Sequence, residues 1–134
     1  MRFVKITIIS GGNPGKHNLN ELLQWFGASL GLFNVRDRDS SCFRIFIVLV
    51  RDLKQGSEGL NSDEIAELTG LTRGTVVHHL NKLMESGLII NAANKYYLKV
   101  NNLEELVDEV EANVLKTLSK LRNVGKEIDG ILGL

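Results

Sequence analysis

A chain of 134 residues has room for one domain and an additional helix. Its sixteen basic and sixteen acidic side chains cancel, which excludes a uniformly basic surface of the kind that drives strong non-specific nucleic-acid binding. One cysteine, Cys42, excludes an intramolecular disulfide and suits a reducing, cytoplasmic setting.

The first segment, MRFVKITIIS, is apolar but interrupted by Lys5. It is too short to span a membrane and no small-residue cleavage site follows, so it reads as a β-strand rather than a signal peptide. Gly11 to Lys16 has the flavour of a phosphate-binding loop. The first glycine position holds Ser10, however, and His17 stands where a magnesium-binding hydroxyl belongs, so a strand-to-helix turn is the better reading. Residues 1–17 are therefore taken as an N-terminal strand and loop.

Asn18 with Glu21 has capping-box spacing, and Leu19, Leu22, Leu23, Phe26 and Leu30 form one stripe, predicting a helix over 19–32. A polar connector, Arg36 to Ser41, offers Ser40 or Ser41 as the next cap. The following stretch, Cys42 to Lys54, is apolar on most sides and reads as a buried core helix, with a strand as the alternative. Gln55 to Gly59 is a loop.

The stretch 61–98, NSDEIAELTGLTRGTVVHHLNKLMESGLIINAANKYYL, carries the most information. Asn61 and Glu64 form a capping box that starts a helix at Ser62. Ile65, Ala66, Leu68 and Leu71 supply its apolar face. Gly70 stops it, because the left-handed conformation at a helix end suits a residue without Cβ. Thr72 caps a second helix whose buried stripe is Val76, Leu80 and Leu83, and Gly87 closes that helix. Leu88 to Ile90 and Lys95 to Val100 are strand-like, with a tip at Asn91 to Asn94, and predict a hairpin. Helix, tight turn, helix and hairpin make a winged helix-turn-helix, a mainly α fold with a small β-hairpin (α+β). It occupies residues 18–100.

With these residues in place, the run LTRGTVVHHLNKLMESGLI, followed by YYL, resembles winged-helix repressors of the arsenical-resistance (ArsR-like) family. The resemblance covers about 40 residues closely, extends loosely over residues 41–121 and leaves out the first 17. It implies a dimeric transcriptional regulator and a recognition helix lying in the major groove. It does not imply an inducer. The paired cysteines of arsenic- or cadmium-sensing relatives are missing, as is the Asp/His pattern of zinc sensors, so no metal site or cofactor is expected. The small-molecule or metal effector stays unknown.

Residues 101–134 form the last segment. Asn102 with Glu105 gives a further capping box, and Leu103, Leu106, Val107, Val110, Val114, Leu118, Leu121 and Val124 recur at helical spacing. A helix of some 22 residues would be about 33 Å long, more than one small domain covers, so a partner chain is expected on part of it. Gly125, Gly130 and Gly133 predict a frayed or turning end. Acids occupy its first half (Glu104, Glu105, Asp108, Glu109, Glu111) and bases its second (Lys116, Lys120, Arg122, Lys126). Two antiparallel copies would place opposite charges together. The dimerisation set is Leu22, Phe26, Val110, Val114, Leu118 and Leu121.

Charge distribution leaves room for a DNA face. Residues 66–100 hold four basic and two acidic side chains, while the acids gather in 101–112. Thr72, Arg73, Thr75, His78 and Lys82 project from the second helix as donors suited to phosphates and base edges, with Val77 beside them and Lys95 on the wing. Val77 stands where the resembling family commonly has a polar residue. His78 and His79 are consecutive and diverge by roughly 100°, so they do not share a metal; His78 suits DNA and His79 packing or a buried hydrogen bond. Cys42 reads as a small core residue. No nucleophile–base pair or paired carboxylates are legible, so no enzyme is expected. The reading is a sequence-specific DNA-binding transcriptional regulator, a repressor, acting as a homodimer without a membrane partner. The alternative is a winged-helix adaptor that binds protein.

Overall fold

The computed structural model describes residues 8, 12–14, 18–33 and 40–134. The expected strand at 1–10, apart from residue 8, and residues 11 and 15–17 of the glycine-rich stretch lie outside the described residues. The chain forms two compact units, Met1–Asn101 and Asn102–Leu134. The elements, in order, are α1 (Leu19–Ser29), α2 (Ser41–Lys54), α3 (Ser62–Thr69), α4 (Arg73–Met84), β1 (Ile89–Ala92), β2 (Lys95–Leu98) and α5 (Leu103–Leu132).

In the first unit α2 is the central helix, packing against α1, α3, α4 and β2. It is helical, not extended: Ile45, Phe46 and Leu49 are fully buried and Phe43 nearly so. Ser40 precedes it in a left-handed conformation (φ 52°) and makes no side-chain cap. The sequence offers a capping hydroxyl at Ser40 or Ser41. With Ser40 in that conformation its hydroxyl does not cap the helix, and Ser41 is already helical and buried.

α1 stops at Ser29, three residues short of the expected end. Gly31 turns the chain at φ 70°, and the amides of Gly31 and Leu32 bond back to Ala28 and Gly27 (both 3.0 Å). The turn brings Phe33 over α1, where a Cβ on Gly27 would overlap its ring. Phe33 then meets Phe43 edge-on at 5.3 Å. Leu19, expected on the buried stripe, is 66 % exposed; Leu23, Gly27 and Leu30 form the covered side. The Trp25 indole donates to the Gly12 carbonyl at 3.0 Å. Cys42 is buried and its thiol faces the Leu32 carbonyl at 3.6 Å.

The hairpin pairs β1 and β2 antiparallel, Ile89 opposite Leu98 and Ala92 opposite Lys95. Its turn is therefore only Ala93 and Asn94, both at positive φ (53° and 63°), the pattern of a type I′ turn. Asn91 and Ala92, read from sequence as part of the tip, belong to the strand. Leu60 adds a bridge on the other edge of β2 through reciprocal bonds with Tyr96 (3.0 and 2.7 Å). The Asp52 carboxylate steadies that approach by accepting the Gly59 amide at 3.0 Å.

In the second unit, Asn102 caps α5 by accepting the Glu105 amide at 2.8 Å. α5 runs for 30 residues, longer than expected, because it continues through Gly125 and Gly130 and stops only at Gly133 (φ 75°). An internal glycine costs roughly 1 kcal/mol relative to alanine, a penalty that weakens a helix without breaking it. Among the described residues no helix is long and apolar enough to cross a membrane.

Candidate nucleic-acid interface

The reading unit is built locally. Asn61 accepts the Glu64 amide (2.8 Å) while its own amide donates to the Glu64 carboxylate (3.1 Å), so the capping box is complete. α3 buries Ile65 and Thr69, and the Thr69 hydroxyl donates to the Ile65 carbonyl at 2.7 Å. Gly70 ends the helix at φ 71°, and the Arg44 guanidinium of α2 donates to the carbonyl of Thr69. A cation at those last carbonyls complements the helix dipole. Leu68 was expected on the apolar face but is 63 % exposed. It lies about 100° around α3 from Thr69, beyond the edge that α2 and α4 cover.

α4 starts at Arg73 with Thr72 as its cap. The Thr72 oxygen accepts the Thr75 amide (3.2 Å), and the two hydroxyls pair at 2.8 Å. Val76, Leu80 and Leu83 are buried, as the spacing predicts, so the opposite face turns to solvent. The helix ends at Met84 rather than at Gly87. Ser86 makes the exit: its hydroxyl donates to the Leu83 carbonyl (2.6 Å) and accepts the Leu88 amide (3.2 Å), while Gly87 turns at φ 77° into the hairpin.

The sequence-selected residues of α4 fall into two groups. Thr72, Arg73, His78 and Lys82 are exposed, whereas Thr75 and Val77 are half-buried. On the hairpin, Lys95 is exposed as the first residue of β2. His78 and His79 meet edge-on at 5.3 Å, with His79 half-buried. Among the described residues no group of three His, Cys, Asp or Glu side chains is arranged to hold a metal ion.

Two residues escaped the sequence reading. Asp63, in the first turn of α3, sits 3.5 Å from Arg73 Nε, with both side chains more than 70 % exposed. The contact joins two helices, so no local pattern signals it. Its partner atom is Nε, which leaves the far end of the guanidinium open. Asn81 is exposed three residues after His78 and seven after Gly74, on the face away from the buried stripe. Helical spacing alone would have found it.

Of the proposed dimerisation residues, Leu22 and Phe26 are half-buried, as is Val114, while Val110 is buried. Leu118 and Leu121 are 47 % and 62 % exposed, and beyond them Val124, Ile128, Ile131 and Leu132 are exposed as well.

Residues 49–91 match the family model described as bacterial regulatory protein, arsR family. The match spans the end of α2, both helices of the reading unit and the start of β1. No curated protein and no solved structure matches the chain. The segment is an ArsR-like winged helix-turn-helix, the module of DNA-binding transcriptional regulators.

Proposed function

We propose that the protein is a sequence-specific repressor that binds duplex DNA as a homodimer, with α4 in the major groove. The observation that carries this reading is the outer face of α4. Exposed imidazole, amide and ammonium groups (His78, Asn81 and Lys82) stand on one side of a helix whose other side is locked into the core, and the exposed Arg73 guanidinium stands at its N-terminal end. Arg73 at the start of the helix suits guanine O6 and N7, and Asn81 suits adenine N6 and N7. Lys95 on the wing suits a flanking phosphate.

Dimerisation is supported by α5. Val107, Val114, Leu121 and Ile128 recur every seven residues, and Val110, Thr117, Val124 and Ile131 each follow three later. A sustained seven-residue repeat is the signature of helices that wrap around each other. From Val114 to Ile131 the stripe is about 26 Å long. A second copy in antiparallel orientation would bring the acidic start of one helix to the basic middle of the other. Two reading units on one two-fold axis would then meet two half-sites.

A gel-shift on the region upstream of the protein's own gene, at two salt concentrations, tests the reading. Retention of that duplex over a scrambled one, weaker at the higher salt, is expected. Equal retention of both would remove sequence specificity, and no retention would favour a protein-binding adaptor.

A further inference from the structure

Asp63 carries a charge that the fold has no use for. It is the second residue of α3, and the capping box at that helix start is filled by Asn61 and Glu64. Glu64 also supplies an acid to the first turn, so the helix dipole is served without Asp63. The Asp63 side chain is 75 % exposed and adds nothing to the core. Among the described residues its charged partner is Arg73, at 3.5 Å. A pair so exposed contributes little to stability.

On a surface that meets DNA, an acid in this place opposes binding, because phosphates repel it. How strongly it does so depends on what Arg73 holds. A guanine edge has no net charge, so a base and a carboxylate can share the neighbourhood of one guanidinium. A phosphate is an anion. With a phosphate oxygen on the Arg73 guanidinium, the two negative charges lie about 6 Å apart, and their repulsion is worth roughly threefold in affinity even in bulk water. Non-specific binding depends on phosphate contacts alone, whereas an operator also offers base edges. The same carboxylate therefore opposes the first mode more than the second.

We infer that Asp63 is a specificity-determining residue: acting on Arg73, it weakens the hold on arbitrary DNA more than the hold on the operator. The inference rests on the DNA-binding reading and deepens it, since it assigns part of the discrimination to a side chain outside α4 that touches no base.

Asp63→Asn, which keeps the shape and removes the charge, tests it with two duplex probes. One is selected by the wild-type protein from a randomised pool; the other is a random-sequence duplex of equal length. The variant is expected to bind the random duplex roughly threefold more tightly and the selected duplex with little change, so the ratio of the two affinities falls. The gain on the random duplex should shrink as salt is raised, because screening shortens the reach of the carboxylate. In an Arg73→Ala background the same change should lose most of its effect, since the guanidinium that draws a phosphate towards Asp63 is gone. Equal tightening on both probes would overturn the inference, leaving only a change in net charge, and so would a gain that survives Arg73→Ala. Weaker binding of the selected duplex would also overturn it, since Asp63 would then be accepting from a base amino group. Unchanged affinity on both probes would show that the pair has no bearing on DNA. Wild-type protein that retains neither probe would overturn the DNA-binding reading itself.

Discussion

The apolar stripe on α5 offers the sharpest test of the dimer. Replace Leu118 and Leu121 together by aspartate. Leu118 is 47 % and Leu121 62 % exposed in the single chain, so about half of each side chain is left for a partner to cover. Full burial of a leucine is worth roughly 1.5–3 kcal/mol, so half of that is about 1 kcal/mol per residue. The two-fold axis doubles the count to four side chains, giving about 4 kcal/mol, or roughly a thousandfold in the dimer dissociation constant. A carboxylate carried into the interface adds to the loss. Light scattering at about 10 μM should therefore find wild type as a dimer and the variant as a monomer, for any wild-type constant near micromolar. Circular dichroism should show the helix content retained, and Ser119→Asp, on the opposite side of the seven-residue repeat, should leave the dimer intact. Loss of operator binding should accompany dissociation, because one half-site supplies too few phosphate contacts at physiological salt. A wild type that stays monomeric, or a double variant that stays dimeric, would refute the reasoning.

Arg73→Ala should flatten base preference at one position per half-site, with discrimination there falling by roughly 1–3 kcal/mol; equal weakening on every sequence would place Arg73 on phosphate instead. Lys95→Ala should weaken all duplexes alike and lower the salt slope by about 0.9, the signature of one lost phosphate contact. Unchanged affinity would put the wing off the DNA, and a changed sequence preference would show it reading groove shape. Gly27→Ala should destabilise the first unit by about 1–3 kcal/mol in chemical denaturation, since the added methyl overlaps the Phe33 ring and the core must shift to admit it.

What the sequence disclosed and what it hid divide along one physical line, the range of the interaction that decides each residue. Asn61 with Glu64 and Thr72 with Thr75 are three residues apart, and their hydrogen bonds appear where the spacing put them. Val76, Leu80 and Leu83 are buried because helical periodicity and burial are the same statement. Leu68 follows the buried Ile65 by three residues yet is 63 % exposed, because spacing alone does not say how wide a face of α3 its neighbours cover. Ser40 has the right chemistry for a cap, but its backbone turned left-handed, and no residue type fixes that alone. Phe33 over Gly27, Leu60 beside Tyr96 and Asp63 beside Arg73 join segments that the chain brings together only after folding. The last pair bears on function. Placing an acid next to the first cation of α4 lowers the local positive field, so a phosphate is a less attractive partner for Arg73 than its charge alone implies. The pair is long, at 3.5 Å, and both side chains are more than 70 % exposed, so it tempers the charge of Arg73 without fixing its guanidinium. On the proposed reading a phosphate contact falls more readily to Lys82 and to Lys95 on the wing, which are exposed and have no acid beside them among the described residues.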